Sequence, residues 1–290
     1  MKIYPKTNEY LEGIENLEKQ LKKEKGLEIQ YFNKDENELI DFEIERPIKE
    51  ILERYPYIEE ITIHPPLTNY ELEIILLKDK KIFLNQIKNI VKLSKKYNIK
   101  INIVEHTRMM FSQAKRTIIP VLKQVAKIMK NTDAKIVFEN IYMMEEKENC
   151  SVIELCEYIN SENIKVCMDI CHLYCQAHIY KLKIEEFLEQ YLDKEKCRRQ
   201  VYQIHFAYTA NNDGYINRET HAIHHPNEQE LYYDAELLCK CGMEKCNWIT
   251  EIAETDYKSR EKQIQEIKGL EKYKKIKEYV WKKSIITKHL

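Results

Sequence analysis

Short apolar runs alternate with longer stretches of helical periodicity along almost the whole chain. The runs predict strands at about 2–5, 27–32, 59–64, 100–106, 135–139, 164–170, 200–206 and 247–252. Between them the apolar positions recur every three to four residues. In 82–97, Leu84, Ile87 and Val91 share a face, and in 113–130, Ile118, Leu122, Val125 and Met129 do the same. In 261–280 the repeat is Ile264, Ile267, Tyr273, Ile276 and Val280. Strand alternating with helix predicts a parallel sheet, and eight such units predict a closed (β/α)8 barrel. The first two units carry the weakest patterns.

Within the strands, residues two apart point the same way. In KVCMDI, Lys165, Cys167 and Asp169 share one side, with Val166, Met168 and Ile170 on the other. In VYQIHF, Val201, Gln203 and His205 oppose Tyr202, Ile204 and Phe206. In NWITEI, Glu251 aligns with Asn247 and Ile249. The less apolar side is expected to be the barrel interior, because the other must bury against helices.

The 290 residues suffice for one such barrel, which takes about 250, and no Pro/Gly/Ser-rich linker or shift in composition divides them. A single domain over 1–290 is expected. Apolar residues make up 43% and charged residues 33%, the balance of a globular protein with ample core. With five glycines and no GxGxxG or Walker A pattern, a phosphate-cradling loop is not expected. The net charge of −1 supplies no global field for nucleic acid. The N-terminal MKIYPKTNEY has no apolar signal region and no run is long enough to span a membrane, so a cytoplasmic location is expected. All nine cysteines lie from Cys150 onward, and an odd count reads as reduced thiols. Cys239, Cys241 and Cys246 form a C-x-C-x4-C cluster. Its spacing does not match a C-x2-C pair, so ordinary thiols are the better reading.

The chemistry concentrates at the ends of the runs. ITIH ends at His64, INIVEH at His106, KIVFE at Glu139, VCMD at Asp169, YQIH at His205 and WITE at Glu251. In a β/α barrel the C-terminal strand ends converge on one mouth, where catalytic groups sit. His172 follows Asp169 by three residues and can turn into the same mouth. A long loop after the seventh strand adds Glu219 and His221 as E-x-H, with His224 and His225 as rivals. Glu105 competes with His106 for the inward position, since a one-residue slip exchanges them. Carboxylates and imidazoles together suit zinc, manganese or cobalt.

Together, FEN at 138–140, MDICH at 168–172, QIH at 203–205, the E-x-H at 219–221 and ITE at 249–251 resemble the xylose isomerase-like TIM barrels. Within that superfamily the ligand set is most similar to endonuclease IV, the class II AP endonucleases, which hold up to three zinc ions with five histidines and four carboxylates. The resemblance implies that His64, His106 and Glu139 bind one ion. Glu139 would bridge to a second held by Asp169, His205 and Glu251, and His172, Glu219 and His221 would hold the third. It implies a phosphodiester hydrolase acting on abasic-site DNA through a metal-activated hydroxide, with Glu139 as bridge and base. That family has an aspartate where this chain has Glu219. Tyr70 and Arg108 are candidate stacking and phosphate contacts.

The same superfamily contains sugar and sugar-phosphate isomerases and epimerases, similar to D-tagatose 3-epimerase. That resemblance implies one manganese or cobalt ion on Glu139, Asp169, His205 and Glu251, with Glu139 and Glu251 as the acid/base pair. Glu145, six residues past Glu139, fits this branch as a substrate contact, or else is the first-turn acid of a helix. A catalytically idle barrel serving as a binding subunit is a third possibility.

Overall fold

The computed structural model describes residues 1–8, 25–31, 43–65, 72–107, 114–140, 152–210, 222–252 and 257–286. Eight parallel strands pair in chain order and close into a barrel. They are β1 (Lys2–Asn8), β2 (Gly26–Gln30), β3 (Glu60–His64), β4 (Lys100–His106), β5 (Lys135–Glu139), β6 (Ile164–Asp169), β7 (Val201–Phe206) and β8 (Asn247–Thr250). The seam closes through β1 and β8, with Lys2 opposite Asn247 and Tyr4 opposite Ile249. Each predicted strand is present. β1 continues to Asn8, beyond the predicted end at residue 5, and this brings Lys6 into the sheet.

The helices among the described residues are α1 (Glu45–Arg54), α2 (Leu72–Tyr97), α3 (Ile118–Met129), α4 (Val152–Ile159), α5 (Ile170–Ile179), α6 (Ile184–Tyr191), α7 (Lys194–Gln200), α8 (Glu228–Lys240) and α9 (Tyr257–Ile286). α3 buries Ile118, Leu122, Val125 and Met129, the stripe its periodicity predicts. α9 departs from prediction. Its buried positions include Gln263, Glu266, Ile267, Leu270 and Tyr273, while Ile276 is exposed. The reason is polar: Gln263 donates to the Thr250 carbonyl and Glu266 grips His225, so this stripe is not apolar throughout.

Asparagine takes the usual place of glycine at three helix ends. Asn98, Asn131 and Asn160 follow α2, α3 and α4 with φ of 54, 67 and 52°. This left-handed conformation ends a helix, and Asn tolerates it better than other residues with a Cβ. A chain with few glycines can thus turn sharply into its next strand.

Two cores result. The outer one packs the outward strand positions against the helices and contains Trp248, Phe83, Phe138 and Phe206, all fully buried. The inner one fills the barrel and is mostly polar, whereas barrels of this class usually fill that space with branched apolar side chains. Among the described residues, Val104, Val137 and Cys167 form a small apolar cluster there, with Tyr202 against it. Below them Glu60 accepts from Asn102 Nδ2 and Asn247 Nδ2, each at 2.9 Å, and from the hydroxyls of Tyr202 and Tyr4 at 2.5 and 3.3 Å. Tyr202 is a correction to strict alternation. Val201 pairs with Val166 and Gln203 with Cys167, so Tyr202 is the extra residue of a bulge and joins Gln203 on the inner side.

Candidate metal centre

The strand register gathers the candidate residues at one end. His106 lies opposite Glu139 and Asp169 opposite His205. Glu105 is opposite Phe138, on the helix-facing side, which settles the β4 register in favour of His106. Glu139 is the convergence point. Its Oε2 lies 3.0 Å from His106 Nε2 and 3.4 Å from both His64 Nε2 and His205 Nδ1; its Oε1 lies 3.4 Å from His172 Nδ1. Glu251 completes the ring, 3.0 Å from His205 Nδ1.

Local structure aims these groups. Asp169 ends β6 and caps α5, its Oδ1 accepting from the His172 amide at 3.1 Å, while Oδ2 stays 3.7 Å from His172 Nε2. Asn140, the last residue of the FEN triplet, braces the same spot. Its side chain exchanges hydrogen bonds with the backbone of Asp169 at 2.6 and 3.1 Å. Its carbonyl accepts from His172 Nδ1 at 2.6 Å. The His64 Nδ1–H likewise donates to the Pro65 carbonyl at 3.0 Å. A carbonyl only accepts, so Nδ1 carries the proton in both rings. In the neutral ring Nε2 then keeps its lone pair, and it faces Glu139 in His64 and Asp169 in His172. Histidines that bind metals commonly have the distal nitrogen fixed in this way.

The charges are tightly balanced. Burial alone would raise Glu139, but the imidazoles of His205 and His106 outweigh it and hold this carboxyl well below its ordinary range. Glu251 is buried too, yet His205 and Lys6 hold it well below that range. Burial works against a charged His205, but Cys167, Glu251, Glu28 and Glu139 raise it well above the usual imidazole value. His64 is lowered by burial and by the Lys6 ammonium. His172 is raised, because Asp169 and Glu139 more than offset its burial.

Two charged residues of the inner face escape the sequence reading. Lys6 Nζ pairs with Glu251 and lies 3.2 Å from Glu28 Oε1, and Glu28 Oε2 lies 3.0 Å from His205 Nε2. A signal existed for both. Glu28 stands between Leu27 and Ile29 in GLEIQ, and Lys6 is two residues from Tyr4 on the same side of β1. A charge inside an apolar run marks an inward position.

The remaining candidates divide. Tyr70, Arg108, Glu145, Glu219 and His221 lie outside the described residues. His225 has both ring nitrogens taken, Nδ1 by Glu266 at 2.9 Å and Nε2 by Asp234 at 3.1 Å, and so is spoken for as a helix tether. The thiols of Cys197 and Cys246 are pushed up to about 12 by burial, and Cys241 to about 11, which keeps them protonated.

The donor set fits a divalent cation. Donor atoms of His64, His106 and Glu139 lie within 4.8 Å of one another, as do those of Glu139, Asp169 and His205. Neutral imidazole nitrogen with ionised carboxylate is the mixture zinc, manganese and cobalt accept. No helix among the described residues is long and apolar enough to cross a membrane.

The fold has solved counterparts. A D-tagatose 3-epimerase-like protein is similar over 97% of this chain and all of its own, with 15% identity and a TM-score of 0.61. An IolI protein with a bound zinc atom matches 94% of this chain and 96% of its own, at 15% identity and TM-score 0.59. A family 2 AP endonuclease from Brucella melitensis matches 90% and 96%, at 11% identity and TM-score 0.55. At such identities these likenesses speak for the fold alone. No curated protein sequence matches the chain. The family model of the xylose isomerase-like TIM barrel matches residues 20–235, and the chain belongs to that family.

Proposed function

We propose that the barrel mouth is a multinuclear divalent-metal centre that hydrolyses a phosphodiester, with abasic-site DNA as the specific substrate. One observation carries this reading. His64 and His172, which a four-ligand mononuclear site does not need, each have Nδ1 fixed on a backbone carbonyl and Nε2 facing a carboxylate, that of Glu139 at 3.4 Å and that of Asp169 at 3.7 Å. Groups that served only for packing would have no reason to share that preparation.

His64, His106 and Glu139 would hold one ion, and Glu139, Asp169, His205 and Glu251 a second. His172 with Glu219 and His221 would hold a third. Bound ions would supply positive charge to the phosphoryl oxygens and leaving group and lower the pKa of water. The chain's own groups do the rest. Glu139, kept ionised by its imidazole neighbours, positions and takes up the proton of the attacking water. Asn140 holds Asp169 and His172 in register. Tyr70 and Arg108 would meet the nucleic acid.

A second reading is a mononuclear sugar or sugar-phosphate epimerase. It is favoured by Glu139 and Glu251 flanking His205 Nδ1 at 3.4 and 3.0 Å, as two carboxylates sharing a proton shuttle would. There Glu139, Asp169, His205 and Glu251 would hold a single manganese or cobalt ion, and Glu145 would contact substrate. Elemental analysis of protein purified without chelator separates the two readings. Between two and three zinc ions per chain is the expected result, with cleavage of an abasic oligonucleotide that His106→Ala and His221→Ala abolish. A single ion, with both variants active on a ketose, would replace the first reading by the second.

A further inference from the structure

β1 and β2 contribute none of the candidate ligands, yet each sends one charged side chain to the floor of the site. Glu28 is completely buried and holds three contacts. Its Oε2 accepts from Gln203 Nε2 at 2.7 Å and faces His205 Nε2 at 3.0 Å; its Oε1 faces Lys6 Nζ at 3.2 Å. Lys6 reaches on to Glu251. Gln203 is itself fixed, because Thr62 Oγ1 donates to its Oε1 at 3.0 Å and so turns the amide nitrogen toward Glu28.

Glu28 has two possible roles beside a metal centre. Donor atoms of Glu28, His64 and His205 lie within 4.8 Å of one another, so Glu28 has the reach of a ligand. Three facts argue against that role. The Lys6 ammonium, 3.2 Å from Glu28, would repel a cation placed there. Oε2 of Glu28 already takes Gln203 and His205, and Oε1 faces the ammonium. And His205 has one nitrogen on each side: Nε2 faces Glu28, while Nδ1 faces Glu139 and Glu251 across the mouth. Gln203 Nε2 lies 3.1 Å from His205 Nε2, but both nitrogens converge on Glu28 Oε2, which only accepts, so in the neutral ring the proton sits on Nε2 and the lone pair on Nδ1, toward the other ligands.

We propose that Glu28, clamped by Lys6 and Gln203, is the positioning residue that fixes the tautomer and ring orientation of His205 as a metal ligand. Lys6 extends the clamp to Glu251, so the groups from β7 and β8 are held as one unit by side chains from across the barrel seam. The inference rests on the metal reading of the mouth. A carboxylate behind a ligating histidine typically changes metal affinity by about 10–100-fold when removed.

The test uses the full chain, stripped with chelator and titrated with Co2+ and Zn2+ against a chromophoric competitor. Glu28→Gln is expected to weaken binding by about 10–100-fold and to shift the visible bands of the Co2+ form. Glu60→Gln is the control, since Glu60 is an equally buried carboxylate at the far end of the barrel with four donors of its own. Its metal affinity should stay within about twofold of the parent, far less than an orienting carboxylate would give. Unchanged affinity in Glu28→Gln, equal weakening in Glu60→Gln, or clean loss of one ion with the others kept would each overturn the assignment. If Glu28→Gln does not fold, Gln203→Met replaces it; a several-fold weakening is expected, and none would be refuting. A parent chain that takes up no Co2+ or Zn2+ would instead bring down the metal reading itself.

Discussion

His225→Gln should remove a pH dependence of stability that the parent chain has. His225 follows β7 in sequence and joins two helices. Its Nδ1 meets Glu266 of α9 at 2.9 and 3.1 Å, and its Nε2 meets Asp234 of α8 at 3.1 Å. Asp234 also accepts from the Tyr174 hydroxyl of α5, and the His225 ring stacks on Phe206 at 4.9 Å. Burial opposes the charge on His225, but hydrogen bonds to Asp234 and Glu266 raise it from 6.5 to about 9. A raised folded value means the charged form is stabilised by folding. That contribution is complete below pH 6.5 and is lost as pH rises through about 9. At 1.36 kcal/mol per unit, the shift corresponds to about 3 kcal/mol. Urea unfolding of chelator-treated parent and variant at pH 6 and pH 9.5 reads the difference, and groups that titrate alike in both chains cancel. The stability gap should be larger at pH 6 by about 3 kcal/mol. A gap that stays constant, or widens toward pH 9.5, would show that His225 is not an ion-paired tether.

Two further outcomes follow. Adding zinc to chelator-treated protein at a hundred times its dissociation constant should stabilise by about 2.7 kcal/mol, which raises Tm by about 4 °C for a chain of this size; scanning calorimetry with and without chelator would expose an absent shift. Gly26→Ala should destabilise by about 1–3 kcal/mol, because a Cβ there would lie 2.5 Å from the Tyr4 ring, which is held in place by Glu60. A neutral result in urea would mean that the ring gives way freely.

The barrel was legible because each strand is a short apolar run and most end in a polar residue that must leave the core. The candidate site was legible for the same reason at His64, His106, Glu139, Asp169 and His205. What the pattern could not convey is pairing across distance. Glu105 and His106 are equivalent in sequence until the β5 register opposes His106 to Glu139. His224 and His225 are adjacent, and only the fold brings His225 to Asp234 and Glu266. Tyr202 reads as helix-facing because alternation carries no sign of the bulge beside it. Lys6 and Glu28 carry no signal at a strand end, because β1 ends in Asn8 and β2 in Gln30.

The polar filling of the barrel acts as a combination lock on assembly. Glu60, Asn102, Tyr202 and Asn247 come from four different strands, and Thr62, Gln203 and Glu28 from a second level, yet each group finds its complement in one alignment. Sliding β3 by one residue would put Ile61 and Ile63 where Glu60, Thr62 and His64 now point and would strand their partners without hydrogen bonds. An all-aliphatic interior would tolerate that slip far better, since oily side chains accept many neighbours. The chain thus gives up some oily filling for a barrel that closes in a single alignment, with its histidines already facing one another.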